Sequence, residues 1–220
     1  MMKLGFLILT IFLFSCKQTA RETKNDLPIS NDSVMHPENF FASNKATLDS
    51  LFYSKKDLDS YKYQDLYTTL LIGYIFNHDQ KHAILRYKEN DTITNVKVLR
   101  LNNIVYDTIF SVRLFPVNTG ALEDLLQIKD YNGDKIPDLK IVKDFWDIHP
   151  SDNSLLWIYN KGRFQSVKGF EKVISAQYDE KTNLIYSYRS RGCADMSMYF
   201  GIFKIVGRQV KKIKEMNCDC

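Results

Sequence analysis

The chain has no long hydrophobic run. Its most apolar stretch, Leu4 to Phe14 in "MMKLGFLILTIFLFSC", is well short of the roughly 20 residues that a permanent membrane-spanning helix needs. No G-x-S-x-G, H-E-x-x-H, Walker A or G-x-G-x-x-G stretch occurs, so the familiar hydrolase, zincin and nucleotide motifs are absent. Neither sign of charge dominates: 30 basic residues face 26 acidic ones, mixed along the chain. A nucleic-acid partner therefore has no basic stripe to meet. Cysteine is scarce, at four residues, and His78 and His82 sit four apart across a hairpin loop, where they read as solvated loop histidines rather than a metal pair.

What is present begins at the N-terminus. Lys3 ahead of the Leu4–Phe14 run makes residues 1–15 a signal peptide. The run closes on Leu13-Phe14-Ser15-Cys16, which resembles the lipobox of bacterial lipoproteins, with Phe14 bulky for its place. The resemblance implies cleavage before Cys16 and acylation of Cys16, palmitate included. An ordinary secretory signal cut elsewhere is the rival reading. The expected location is the bacterial cell envelope, periplasmic or outer-membrane surface, with the lipid bilayer a partner through the acyl anchor; several chains together hold a protein stably. Removing Lys3 with the signal takes the formal charge from +4 to +3. Residues 16–43, "CKQTARETKNDLPISNDSVMHPENFFAS", are polar and without hydrophobic period, as in a flexible tether. Its random-coil reach is roughly 25–30 Å.

Residues 44–220 read as one β domain of ordinary length. Short β-rich runs alternate with polar turns: "YTTLLIGYIF" and "HAILRY", "TITNVKVLRL" and "IVYDTIFSVRLF", "LLQIKD" and "DLKIVKDF", "SLLWIY" and "RFQSV", then "LIYSYRS", "SMYFGIFKIV" and "QVKKIKEM". The abundance of Tyr (13) and Phe (14) suits half-buried strand faces. The expected fold is all-β, a mostly antiparallel meander, either a reduced propeller-like fold or a sandwich. At most a short N-terminal helix is expected, near Leu48–Leu58.

With Cys16 taken by lipid, Cys193, Cys218 and Cys220 remain in an oxidising compartment. A two-residue turn at Gly207-Arg208 puts Ser197 opposite Cys218 and Asp195 opposite Cys220. Cys193 then lies near both, and a bond to either closes a loop of about 25 residues, worth roughly 3 kcal/mol. A metal or redox role for "CDC" is the rival reading.

The stretch "KDYNGDKIPDLKI", Lys129 to Ile141, carries the most specific signal. Asp130, Asn132, Asp134 and Asp138 offer side-chain oxygens at positions 1, 3, 5 and 9, and Ile136 a carbonyl at position 7. Hard cations such as calcium take six to eight oxygen ligands, and three carboxylates this close repel unless a cation or solvent intervenes. The rival reading is a hairpin with an Asn132-Gly133 type I′ turn. The stretch resembles the D-x-N-x-D-G-x-x-D loop of FG-GAP and VCBS repeats, with Lys135 at the sixth position in place of the usual glycine. That position often requires a left-handed backbone, so the resemblance implies weak, structural calcium binding, in the 10⁻⁴–10⁻³ M class. More loosely, the C-terminal half from Leu122 resembles propeller-like periplasmic proteins that include immunity proteins inhibiting lysozyme-like effectors of type IV secretion systems.

Two further segments could meet a partner. "KDFWDIHPSDN" carries Phe145, Trp146 and His149, and "SYRSRGCAD" carries Arg189 and Arg191; Trp and Arg are enriched at binding hot spots. A structural Trp146 and solvated arginines are the plainer readings. Asp144, Asp147 and Asp152 are possible extra ligands for the loop. The expectation is a non-enzymatic, envelope-anchored, calcium-binding domain that recognises a protein, as an inhibitor of a cell-wall hydrolase. A glycan-binding or small-ligand-binding lipoprotein is the alternative, and an uncharacterised hydrolase the third reading.

Overall fold

The computed structural model describes residues 37–102, 105–115, 126–146, 151–191 and 197–219. The described residues belong to one compact unit, 35–220. Cys16, the signal segment and most of the tether segment lie outside the described residues.

The first element is helix α1 (Pro37–Lys55). A proline fits the first helical turn because its amide would be unbonded there and its φ is already set. Phe41, Leu48 and Phe52 are buried and recur at about two-turn and one-turn intervals, which gives the helix one apolar stripe. The helix is longer than expected, and its first turns, residues 37–43, fall in the segment assigned to the tether.

Three antiparallel meanders follow in chain order. The first sheet holds β1 (Tyr61–Gln64), β2 (Thr68–Asn77), β3 (Gln80–Lys88), β4 (Thr94–Leu101) and β5 (Tyr106–Leu114). The second holds β6 (Leu126–Lys129), β7 (Asp138–Trp146), β8 (Ser151–Asn160) and β9 (Arg163–Ser166). The third holds β10 (Gln177–Asp179), β11 (Leu184–Arg191), β12 (Ser197–Val206) and β13 (Gln209–Asp219). The fold is therefore mostly antiparallel β, as the strand rhythm predicts.

The layers stack through three cores. Leu48 and Phe52 of α1 pack on Leu70, Ala83 and Leu99 of the first sheet. The other face of that sheet puts Ile84, Val96 and Val98 against Leu139, Ile141 and Tyr159 of the second. The opposite face of the second sheet puts Leu156 and Ile158 against Tyr178, Ile185 and Phe203 of the third, with Phe170 of a 3-10 turn (Phe170–Lys172) between them. Period-2 alternation along β8 thus feeds two cores at once.

Covering both faces of a sheet traps polar side chains. His82, which the sequence places in a solvated loop, is instead fully buried on β3, edge-on to Phe76 and Tyr159. Its Nε2 lies 3.4 Å from the Tyr159 hydroxyl. Burial, with repulsion from Arg100, lowers its pKa from 6.5 to about 4. Between those values the folded state binds fewer protons than the unfolded chain, so this group makes stability rise with pH and fall as pH drops through the window. A His82→Phe variant lacks that contribution. Urea denaturation at pH 7 and pH 4.5 should show the wild type losing ground to it on acidification; a constant gap would contradict the assignment.

The third sheet departs from the expected register. A bulge between Ile202 and Phe203 pairs Ile202 with Lys214 but Phe203 with Lys212, so Ile213 is the extra residue. Beyond it the pairing slips by one: Cys218 faces Met198, not Ser197, and Ser197 faces Asp219. Cys218 carries a free thiol; Cys193 and Cys220 lie outside the described residues. Gly201, just before the bulge, is required by packing: a Cβ there would run into the Phe203 ring. Gly201→Ala should cost about 1–3 kcal/mol by urea denaturation, and an unchanged midpoint would mean the ring can move aside.

Candidate functional site

The expected oxygen donors share one loop between β6 and β7. Asp130 folds the loop around itself: its Oδ1 accepts the Asn132 and Gly133 amides at 3.0 and 2.7 Å, and its Oδ2 accepts the Lys135 amide at 2.7 Å. Asn132 and Asp134 bond each other and the next amides on. Such side-chain-to-backbone bonds are what Asp and Asn offer in turns. They force a left-handed backbone at two places, Gly133 (φ 84) and Lys135 (φ 68). The lysine at the sixth position therefore does adopt the conformation that glycine would take more cheaply.

Asp138 closes the loop from below. It is fully buried, and its two oxygens accept the amides of Tyr131 at 2.9 Å and Tyr159 at 3.0 Å. Burial pushes its pKa up to about 7; the two amides oppose the rise, and the charges of Asp134 and Asp130 add to it. From 3.8 to about 7 the folded form holds the extra proton, so this group makes ion-free stability fall as pH rises.

Among the described residues, no ion pair reaches Asp130, Asp134 or Asp138. Nor do three Asp, Glu, His or Cys side chains stand close enough to share one ion. The donor set nevertheless suits a hard cation. An ionised carboxylate has about four lone-pair sites, which the amides only partly fill, and Asn132 and the Ile136 carbonyl add neutral oxygens at the spacing such loops use. The other suggested ligands are engaged elsewhere: Asp144 sits 3.8 Å from Lys143 and Asp152 3.4 Å from Lys140. Asp147 lies outside the described residues.

The remaining predicted residues do not form one cluster. Phe145 is half-buried at a cleft of about 430 Å³ between the second and third sheets. Trp146 and Arg191 are placed by backbone alone, opposite Ser151 and Ser197. Arg189 is half-buried on β11 opposite Tyr199 and is not among the residues lining that cleft; His149 lies outside the described residues.

The cleft contains a polar group that sequence reasoning missed. Lys140, fully buried, donates to the Ala176 carbonyl at 3.2 Å and pairs with Asp152, which also accepts from Ser154 at 2.5 Å. Burial lowers the lysine's pKa against the pull of Asp152. Beside it, Ser175 holds a left-handed backbone (φ 49). In the sequence, a lysine alternating with Leu139 and Ile141 reads as a solvent face; only the covering third sheet makes it internal.

Among the described residues, none covers the outer face of the third sheet. Tyr188, Phe200 and Met216 stand in register on β11, β12 and β13, with Tyr186 and Ile202 in the next row. Tyr188, Phe200 and Met216 are 42%, 39% and 51% exposed, forming an apolar row across three strands.

No family model matches the chain, and no curated protein does. The solved structure of a Xanthomonas type IV secretion system related protein superposes with a TM-score of 0.44 at 10% identity, covering 73% of this chain and 87% of that one. A likeness at this level carries no functional assignment. No helix among the described residues is long and apolar enough to cross a membrane.

Two outcomes follow from this geometry. Asp152→Ala leaves Lys140 buried without its counter-charge and should cost about 3–5 kcal/mol. Adding Lys140→Met should recover most of that loss in urea denaturation; no recovery would mean the loss comes from packing. Gly133→Ala meets both φ 84 and the Asn183 side-chain oxygen at 2.8 Å. Its melting temperature should fall by several degrees, as for a loss of ~1–2 kcal/mol; a wild-type melt would refute the tight docking of the loop.

Proposed function

We propose that the protein is an envelope-anchored binding module: Cys16 carries the lipid, the aspartate loop takes one structural calcium ion, and the open face of the third sheet meets a protein partner. The observation that carries the proposal is the exposed row of Tyr188, Phe200 and Met216 on adjacent strands. Large contiguous apolar surface on a soluble domain marks an interaction site. The partner fitting the sequence resemblance is a cell-wall hydrolase that the module inhibits, and no catalysis is assigned to the chain itself. Calcium bound by Asp130, Asn132, Asp134, Asp138 and the Ile136 carbonyl supplies positive charge that cancels the carboxylate repulsion and holds the loop on its strands.

A second reading is glycan binding in the cleft beside Phe145, where Tyr188 offers a ring and Gln127 and Asp152 offer polar groups. The two readings separate in one comparison. A protein retained from envelope extract by the wild type and lost by a Phe200→Glu/Met216→Glu variant supports the first. Sugar-dependent fluorescence quenching, lost by Phe145→Ala, supports the second and overturns the first if no protein is retained. Palmitate labelling abolished by Cys16→Ser tests the anchor. Calorimetry on residues 17–220, which contain the whole compact unit, should find one calcium site of about 10⁻⁴–10⁻³ M. Lys135→Gly should tighten it and Asp134→Ala abolish it; equal heats in all three would refute the site.

A further inference from the structure

A second cleft, of about 750 Å³, opens between the β2–β3 turn, the aspartate loop and the β8–β9 turn. It is of the size that small-ligand sites usually have. Its floor is apolar, with Phe76 and Tyr159 stacked at 5.1 Å and Ile136 and Tyr74 at the rim, 37% and 49% exposed. Around that floor stand Arg100, Lys135 and Lys161, with His78, and no carboxylate is among the described residues that line the cleft.

The two turns set the backbone conformation of both lysines, but neither turn requires a lysine there. Lys135 and Lys161 both have positive φ, 68° and 49°, where an L-residue with a Cβ costs about 1–2 kcal/mol and Gly or Asn is favoured. In the β8–β9 hairpin, Lys161 is followed by Gly162 at φ 79, the two-residue pattern that Asn-Gly serves best. Two lysines thus occupy strained backbone positions in separate turns, and both face the same cleft. Arg100 adds a third observation. Its Nη2 pairs with Asp107 at 2.9 Å, but its Nε is buried with no acceptor among the described residues. A buried donor left unbonded is costly. The guanidinium also sits at the β8–β9 turn, its Nη1 3.7 Å from where a Gly162 Cβ would stand.

We propose that this cleft is a binding site for a carboxylate carried on an apolar body. The carboxylate is met by Arg100, Lys135 and Lys161, and the apolar part lies on Phe76, Tyr159 and Ile136. A free amphiphilic acid and the C-terminal end of a peptide share this chemistry. The site does not rest on calcium, since Lys135 owes its conformation to the Asp130 carboxylate.

The test is a ¹⁵N–¹H titration of residues 17–220 in calcium-free buffer with N-acetyl-L-phenylalanine, its neutral amide, the tripeptide Ala-Ala-Phe and inorganic phosphate. The acid should shift amides at 74–77, 100, 135–137 and 159–162, and the neutral amide should not. The double variant Lys135→Gly/Lys161→Asn removes both charges while relaxing both backbones, so it should melt no lower than wild type and bind the acid roughly tenfold more weakly. Tighter binding of the tripeptide identifies a peptide end, and equal binding a free acid. Equal shifts with the neutral amide, binding unchanged in the variant, or phosphate binding as well as the acid would each overturn the proposal.

Discussion

Asp138 carries a carboxylate with no solvent exposure, and the amides it accepts belong to Tyr131, in the loop, and Tyr159, on β8. One side chain therefore ties the aspartate loop to the strand that crosses the second sheet. Charge-assisted bonds to backbone amides are strong, and here they must be, because the carboxylate has given up its water. The second sheet lies between the other two, so each polar group on it must find a partner inside the protein or leave a cost of about 1–3 kcal/mol. Lys140 against Asp152 meets the same demand.

The stacking order decides where surfaces remain for recognition. The first sheet has α1 on its outer face, and the second is covered twice. Among the described residues, only the third keeps an open face, and it is there that aromatic side chains stand in register. Two clefts lie where sheets meet: one beside Lys140, one beside Lys135. The aspartate loop walls the second of these, so whatever stiffens the loop also shapes a cleft.

Much of this architecture is legible in the amino-acid sequence. Strand rhythm places β12 at 197–206, and oxygen spacing singles out Asp130 to Asp138, with the sixth position marked as left-handed. What is not legible comes from packing between layers. Period-2 patterning cannot tell a solvent face from one covered by a later sheet, so nothing in it marks Lys140 as buried, and His82 reads as solvated because its loop placement hides that it lies on β3. The bulge at Ile213 leaves no turn signal, so the expected cysteine register is off by one. The helix runs longer than its pattern suggests because its buried stripe is thin and most of its positions are polar. The lysines at positive φ, Lys135 and Lys161, acquire meaning only because two turns distant in the chain share a cleft.

On the proposed reading, a cation in the aspartate loop locks the second sheet through Asp138. The most direct measurement is amide hydrogen exchange at Lys135, Tyr131 and Tyr159, in 2 mM calcium and in EDTA, for wild type and Asp134→Ala. All three amides donate to loop carboxylates, and exchange reports how often those bonds open. On that reading, exchange in the wild type should slow about three- to twentyfold in calcium, the factor set by 2 mM ion and a dissociation constant of about 10⁻⁴–10⁻³ M, and should not slow in the variant. Identical exchange in calcium and EDTA, at an ion concentration above the expected dissociation constant, would contradict it and leave the loop a turn held by its own amides.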